Sequence, residues 1–376
     1  MKIGFDAKRA MANFSGLGNY SRYIIDVLSA KETDSHFTLF IPKKKENDRL
    51  SPLLDRKNIS CVFPVDLWRL FPSLWRLFGI RKSLTRNNVA IYHGLSNELP
   101  FGIARSGVKS VVTSHDLIFL RFPEYYKWFD RLIYSRKAAY AYKVADVIIA
   151  VSECTKRDIV EYYGIDPQKI EVVYQGCDKL FGNAVSNNDK KRIAEKYNLP
   201  ETFLLSVGSI ESRKNVMLAI KGLSYLDEHI HLVVVGKSTA YAKRALCYAR
   251  EKGLSHRVHF FHQVPFSDLP SFYQMASVFV YPSFYEGFGI PVIEALSSGV
   301  PVVAAKGSCL EEAGGPGSVY IDPNSEKEFA DAIRHIMSAP EVATQMIEEG
   351  KGYVARFSDE AIASGFAQIY SRLKGC

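Results

Sequence analysis

Short apolar runs, separated by stretches with helical spacing, constrain this chain more than any other feature of it. Ile3–Asp6, Phe37–Ile41, Val89–His93, Val108–Ser114, Val147–Val151 and Ile170–Val173 form one series of strand-like runs. Phe203–Val207, His231–Val235, Val258–Phe261, Val278–Tyr281, Val300–Ala304 and Val319–Ile321 form a second. Strand alternating with helix argues for a parallel sheet covered by helices on both faces. Two such series without an internal repeat predict two open, doubly wound α/β domains, and 376 residues are enough for both. Between them lie Gln175-Gly176-Cys177-Asp178 and a polar stretch from Asn183 to Lys191. The junction is therefore expected at about residue 178, dividing the chain into 1–178 and 179–356, with a last helix (about Asp359 to Leu373) in 357–376.

Charge is unevenly shared between the halves. Residues 1–180 hold 28 Lys and Arg against 19 Asp and Glu, whereas residues 181–376 hold 20 against 21. A basic first half suits an anionic membrane surface or a pyrophosphate-linked acceptor, or is simply a solvated basic surface. No recognition helix, zinc finger or RNA-binding motif supports nucleic acid. Six scattered cysteines (61, 154, 177, 247, 309 and 376) show neither C-x-x-C spacing nor a zinc pattern, and read as reduced thiols of a cytoplasmic protein. Met1-Lys2-Ile3-Gly4-Phe5-Asp6 runs straight into a strand, without a secretory leader. No apolar run approaches the roughly 18 residues of a membrane span.

The second half carries the densest motif, Tyr281-Pro282-Ser283-Phe284-Tyr285-Glu286-Gly287-Phe288-Gly289-Ile290-Pro291-Val292-Ile293-Glu294-Ala295-Leu296. It reads as a strand, a glycine loop and a helix start, with Pro291 in the first turn where its missing N–H is harmless. Outward-pointing amides at such a start favour anionic or hydroxyl-rich ligands. Glu286 and Glu294 could each accept from two neighbouring hydroxyls, as on a sugar and a ribose. On spacing alone, a helix cap plus a surface glutamate explains the pair equally well.

Other motifs also follow strands, where open α/β sheets bind ligands. Ser15-Gly16-Leu17-Gly18-Asn19-Tyr20 is a glycine loop opening a helix, and by itself only a flexible turn. Ser114-His115-Asp116 puts a histidine at a strand end, where it can donate to a sugar hydroxyl or stabilise developing charge, while Asp116 can cap the next helix. His93-Gly94 is a second such histidine. Val207-Gly208-Ser209-Ile210-Glu211-Ser212-Arg213-Lys214-Asn215 offers two adjacent cations suited to a diphosphate, Arg as a fork and Lys as a point charge. Neither an Asp-x-Asp pair nor a His/Cys cluster is present, so no metal is expected and phosphate charge falls to Arg213, Lys214 and helix N-termini.

Taken in order, these motifs resemble the retaining GT-B glycosyltransferases of the large group 1 (GT4) family, whose E-x7-E signature Glu286 and Glu294 match. The loop wording Ile210-Glu211-x-Arg213-Lys214-Asn215 is most similar to bacterial polysaccharide mannosyltransferases. The resemblance implies two Rossmann-like domains facing across a cleft, with the last helix packed back on the first. It assigns His115 and Glu286 to the transferred sugar and catalysis, and Glu294 to the ribose. It places Gly16, Gly18, Ser209, Arg213, Lys214 and the amides of Phe288, Gly289 and Ile290 near donor sugar and phosphates. The loop through Val264 would read the nucleobase by its backbone. Where relatives carry Arg after the glycine this chain has Ser209, a departure that Arg213 would make good. The implied co-substrate is a nucleotide sugar, GDP-mannose before UDP-sugars, with no other cofactor. The implied acceptor is a glycan or lipid-linked glycan of a surface polysaccharide.

Val65 to Lys82 interleaves Trp68 and Trp75 with Arg69 and Arg76 among Leu and Phe. That composition suits a bilayer interface or the acceptor, and equally an ordinary buried helix with Arg outside. A membrane-facing segment implies peripheral attachment at the inner face of the cell membrane. Rival readings are a UDP-dependent glucosyl-, galactosyl- or N-acetylglucosaminyltransferase, a phosphorylase or epimerase of the same fold, and a non-catalytic scaffold for sugar nucleotides or membranes.

Overall fold

In both sheets every strand runs parallel to its neighbours. The computed structural model describes residues 1–14 and 16–375; Ser15, in the first glycine loop, and Cys376 lie outside the described residues. Contacts divide the chain into two units, Met1–Gly176 with Phe357–Cys376, and Cys177–Arg356. The junction falls just before the position expected from sequence.

The first unit contains β1 (Lys2–Asp6), β2 (His36–Phe40), β3 (Ile59–Val62), β4 (Ile91–Gly94), β5 (Lys109–Ser114), β6 (Val147–Ala150) and β7 (Ile170–Val172), in the order β3-β2-β1-β4-β5-β6-β7. Strands buried on both faces read as continuous apolar runs, which is why these are legible in the sequence. The exception is β3, absent from the sequence reading. Its Ile59-Ser60-Cys61-Val62 is short and half polar, and lies at the sheet edge. Pairing with β2 defines it, from Phe37↔Ile59 to Phe40↔Val62, with Ser60 Oγ 2.9 Å from His36 Nε2. The helix Asp359–Gly375 belongs to this unit and buries Ile362, Phe366, Ile369 and Tyr370.

The second unit contains β8 (Phe203–Val207), β9 (His231–Val235), β10 (Val258–Phe261), β11 (Val278–Tyr281), β12 (Val302–Ala305) and β13 (Val319–Ile321), in the order β10-β9-β8-β11-β12-β13. Helix ends follow local chemistry. Ser325 caps the helix Glu326–Ser338 by accepting from the Glu328 amide at 3.1 Å, and Gly164 closes Glu153–Tyr163 in the left-handed region. In each sheet the strand order reverses once, between β1 and β4 and between β8 and β11. The carboxyl ends of those pairs are where such sheets leave a crevice.

Candidate active site

At the reversal of the second sheet, the loops after β8 and β11 meet through charge. Arg213 Nη1 lies 2.7 Å and Lys214 Nζ 2.6 Å from the same oxygen, Glu286 Oε1, with all three side chains mostly buried. Burial alone would push the Glu286 carboxyl up. The two cations outweigh it and hold the carboxyl at about 2, so Glu286 is ionised at neutral pH. Two cations against one carboxylate leave the cluster with net positive charge. Lys214 also touches the Tyr281 hydroxyl and lies over that ring, 4.7 Å from its centre.

Backbone and amide contacts fix this geometry. Asn215, with φ 54°, donates from Nδ2 to the Pro282 and Pro323 carbonyls at 3.1 and 2.7 Å, and the Phe284 amide donates to the Arg213 carbonyl at 2.9 Å. The β8 loop is thereby stapled to the β11 loop. Gly236, at the end of β9, is required by close approach: a Cβ there would stand 1.7 Å from the Gly208 carbonyl oxygen. Ser209 is half-buried beside Lys214 and Tyr281 in the hollow at the end of β8.

The helix Ile290–Ser297 starts as the sequence indicates. Gly289 takes φ 119°, a conformation that favours glycine, and Pro291 occupies the first turn. Buried Cys309 reaches the Glu286 and Phe288 carbonyls at 3.0 and 2.9 Å and holds the loop from beneath. Phe288 is buried and Ile290 half-buried. Glu294 accepts from the Tyr273 hydroxyl at 2.7 Å, and burial raises its carboxyl to about 7 against that bond. Val264 sits half-buried beyond β10, while neighbouring His262 bonds the Gly236 carbonyl at 3.0 Å.

At the reversal of the first sheet, His115 follows β5 and is buried. Its Nε2 is 2.8 Å from the Leu95 carbonyl, which can only accept, so Nε2 carries the proton. Burial lowers its pKa to about 4, and the ring stands edge-on to Tyr20 with centres 4.5 Å apart. The imidazole is neutral with its one N–H already used. The sequence expectation that it donates to a sugar hydroxyl is corrected: Nδ1 remains, as an acceptor. His93 is no second candidate. It is wholly buried, with Nδ1 2.7 Å from the Tyr370 hydroxyl and Nε2 2.8 Å from Thr113 Oγ1, and so binds the last helix to β4.

Gly16 and Gly18 open the helix Gly16–Lys31, and the Gly18 amide donates to Asn13 Oδ1 at 3.3 Å. In the aromatic segment the sequence reading is half overturned. Trp75 is 1% exposed, and Arg76 is buried with Nε 2.7 Å from Asp6 Oδ2 and Nη1 paired to Glu98. A π-helical turn, Trp75–Gly79, directs both inward, so neither faces lipid or acceptor. Trp68 and Arg69 stay exposed, among Leu67, Leu70, Phe71, Leu74 and Phe78. Asn215, Tyr273, Tyr281, Cys309, Leu95 and Asn97 shape these sites without appearing among the sequence candidates. Asn215 and Tyr281 lie within the motifs; the others carry no local signal. Among the described residues no group of three or more His, Cys, Asp or Glu is placed to hold a metal ion.

Comparison with known proteins adds two family matches. The family described as Glycosyltransferase Family 4 matches residues 14–179, and the one described as Glycosyl transferases group 1 matches residues 187–353. The O-antigen chain mannosyltransferase RfbU of Salmonella typhimurium is 29% identical, over 65% of either chain. O-antigen chain mannosyltransferase B of Escherichia coli is 27% identical over 90% of either chain. Among solved structures, Anabaena HepE in complex with UDP and glucose superposes with a TM-score of 0.76 at 18% identity, covering 99% of this chain and all of that one.

Proposed function

A chain so matched in both halves belongs to the group 1 glycosyltransferases, and from that premise we propose that it moves a hexose from a nucleotide-diphosphate sugar to a glycan acceptor with retention of configuration. The observation that carries this reading is the Arg213–Glu286–Lys214 cluster at the β8/β11 reversal. Glu286, kept ionised, accepts from hydroxyls of the donor sugar. The C1–O bond to the diphosphate breaks as Arg213, Lys214 and the amides before the helix Ile290–Ser297 take up the departing charge. The acceptor oxygen bonds to C1 on the same face, and its proton leaves with the diphosphate. Glu294 holds the ribose diol, Val264 lies by the base, and His115 accepts from a sugar hydroxyl through Nδ1. The catalysis is positional and electrostatic, with Arg213 and Lys214 supplying the positive charge that the diphosphate requires.

Mannose is the favoured sugar because both relatives are named mannosyltransferases, and the donor proposed for this chain is GDP-mannose. The UDP and glucose held by HepE support the second reading, a UDP-sugar. The acceptor is a lipid-linked glycan met at the inner face of the membrane. In support, the stretch around Trp68 exposes Leu67 at 76%, Leu70 at 72%, Phe71 at 56% and Phe78 at 54%, a larger apolar face than scattered surface residues make. No helix among the described residues is long and apolar enough to cross a membrane.

Thermal shift against a panel of nucleotide sugars tests the reading, since a ligand that binds only the native state raises Tm. The donor is expected to raise it, and Arg213→Ala and Lys214→Ala to abolish the shift. A panel without any shift, or variants that bind the diphosphate as tightly as the parent, would overturn it.

A further inference from the structure

The segment expected to face a membrane turns one side chain the other way. Arg76 projects from the π-helical turn into the first unit, where Asp6 at the end of β1 holds its Nε and Glu98 its Nη1. A guanidinium buried this completely is retained where it fixes a geometry, because apolar residues fill such space at least as stably. The geometry fixed here is that of the loop Leu95–Pro100. Its backbone folds back on β4 so closely that a Cβ on Gly94 would lie 2.1 Å from the Glu98 carbonyl oxygen. The Phe101 amide donates to the Leu77 carbonyl at 2.8 Å, a second tie between loop and π turn. Lys137 Nζ adds a longer contact to Glu98 Oε1 at 3.3 Å.

On its other side the same loop touches His115 twice. The Leu95 carbonyl accepts from Nε2 at 2.8 Å, and Asn97 Oδ1 accepts from the His115 backbone amide at 3.2 Å. Asn97, with φ 52°, also donates its own amide to the Thr113 carbonyl at 2.8 Å. The ion pair and the histidine thus grip opposite sides of one short loop.

We propose that Arg76 and Glu98 are positioning residues for His115: their buried pair holds the Leu95–Pro100 loop so that the Leu95 carbonyl selects the Nε2–H tautomer and leaves Nδ1 to accept from a substrate hydroxyl. The hydroxyl rests on the glycosyltransferase reading; the tautomer does not.

The test is a long-range proton–nitrogen NMR correlation of the full chain carrying 15N in its imidazoles. His115 is assigned by its loss in His115→Gln, and His93, held by Thr113 and Tyr370, reports an intact fold. The parent is expected to show His115 protonated at Nε2 and bare at Nδ1. In Glu98→Ala the His115 pattern moves towards a mixture of tautomers while His93 is unchanged, and Lys137→Met leaves both as they were. Should Glu98→Ala fail to fold, Glu98→Gln, which keeps the shape and removes the charge, is read in its place. A His115 still wholly Nε2–H in the folded variant overturns the proposal, as does a parent protonated at Nδ1. With a donor in hand, Glu98→Gln should lower kcat roughly ten- to a hundredfold and leave the Kd for nucleoside diphosphate unchanged. A tautomer shift in a chain that binds no nucleotide sugar would leave the positioning role standing and remove the transferase reading instead.

Discussion

Glu286 shows how one residue couples stability to the proposed chemistry. Its carboxyl falls from the usual 4.5 to about 2 on folding, because Lys214 and Arg213 overcome the effect of burial. A depressed carboxyl stabilises the fold above its unfolded pKa and loses that contribution as pH falls through the folded one. The cluster should therefore contribute on the order of 3 kcal/mol at neutral pH, declining below about pH 4.5. Glu286→Ala strands two mostly buried cations, and chemical denaturation should show a loss of about 3–5 kcal/mol. Glu294 behaves oppositely. Its carboxyl is raised to about 7, so it opposes folding as pH rises from 4.5 towards 7, and in the proposed ribose-binding role it would accept from a diol best once ionised. Calorimetry across pH 5.5 to 8.5 should show nucleotide affinity falling as pH drops through about 7, with the inflection absent in Glu294→Gln. His115, with its pKa near 4, should add no inflection near neutrality.

Elements act through the few residues that join them. The helix Asp359–Gly375 reaches the first sheet through Tyr370 and His93 and is tied to the helix Gly16–Lys31 where Tyr23 donates to Asp359 at 2.8 Å. Tyr370→Phe leaves a buried imidazole nitrogen without its partner and should lower stability by about 1–3 kcal/mol in urea titration. A chain cut after Ser358 loses the buried side chains of Ile362, Phe366 and Ile369 together, and should lose cooperative melting of the first unit. In the second unit Asn215 does the joining. Asn215→Ala frees the β8 loop from Pro282 and Pro323, and should weaken nucleoside diphosphate binding although Asn215 itself is buried beneath the loops.

For the whole molecule, the Val65–Lys82 segment divides into an apolar outer face and a buried Arg76, and the two proposed roles divide with it. Leu70→Asp with Phe71→Asp should reduce co-sedimentation with vesicles of anionic lipid and leave Tm and diphosphate binding nearly unchanged. Trp75→Ala should instead lower Tm, because a fully buried indole is removed and truncations of this kind cost about 3–5 kcal/mol. Equal vesicle binding by the double variant and the parent would refute the membrane assignment.

Periodicity and backbone chemistry determined much of this protein before any folding was known. The apolar runs became β1, β2 and β4 to β13, since strands covered on both faces must be apolar throughout. Gly289 and Pro291 marked a helix start because few other residues take those conformations. Pairwise contact over long separations was decided only in three dimensions. The strand β3 exists because β2 is beside it, and Arg213 meets Glu286 because β8 and β11 are neighbours in the sheet. His115 became an acceptor because a loop twenty residues earlier offers it a carbonyl. Trp75 and Arg76 went inward because one π-helical turn rotated them, and composition carries no record of a rotation.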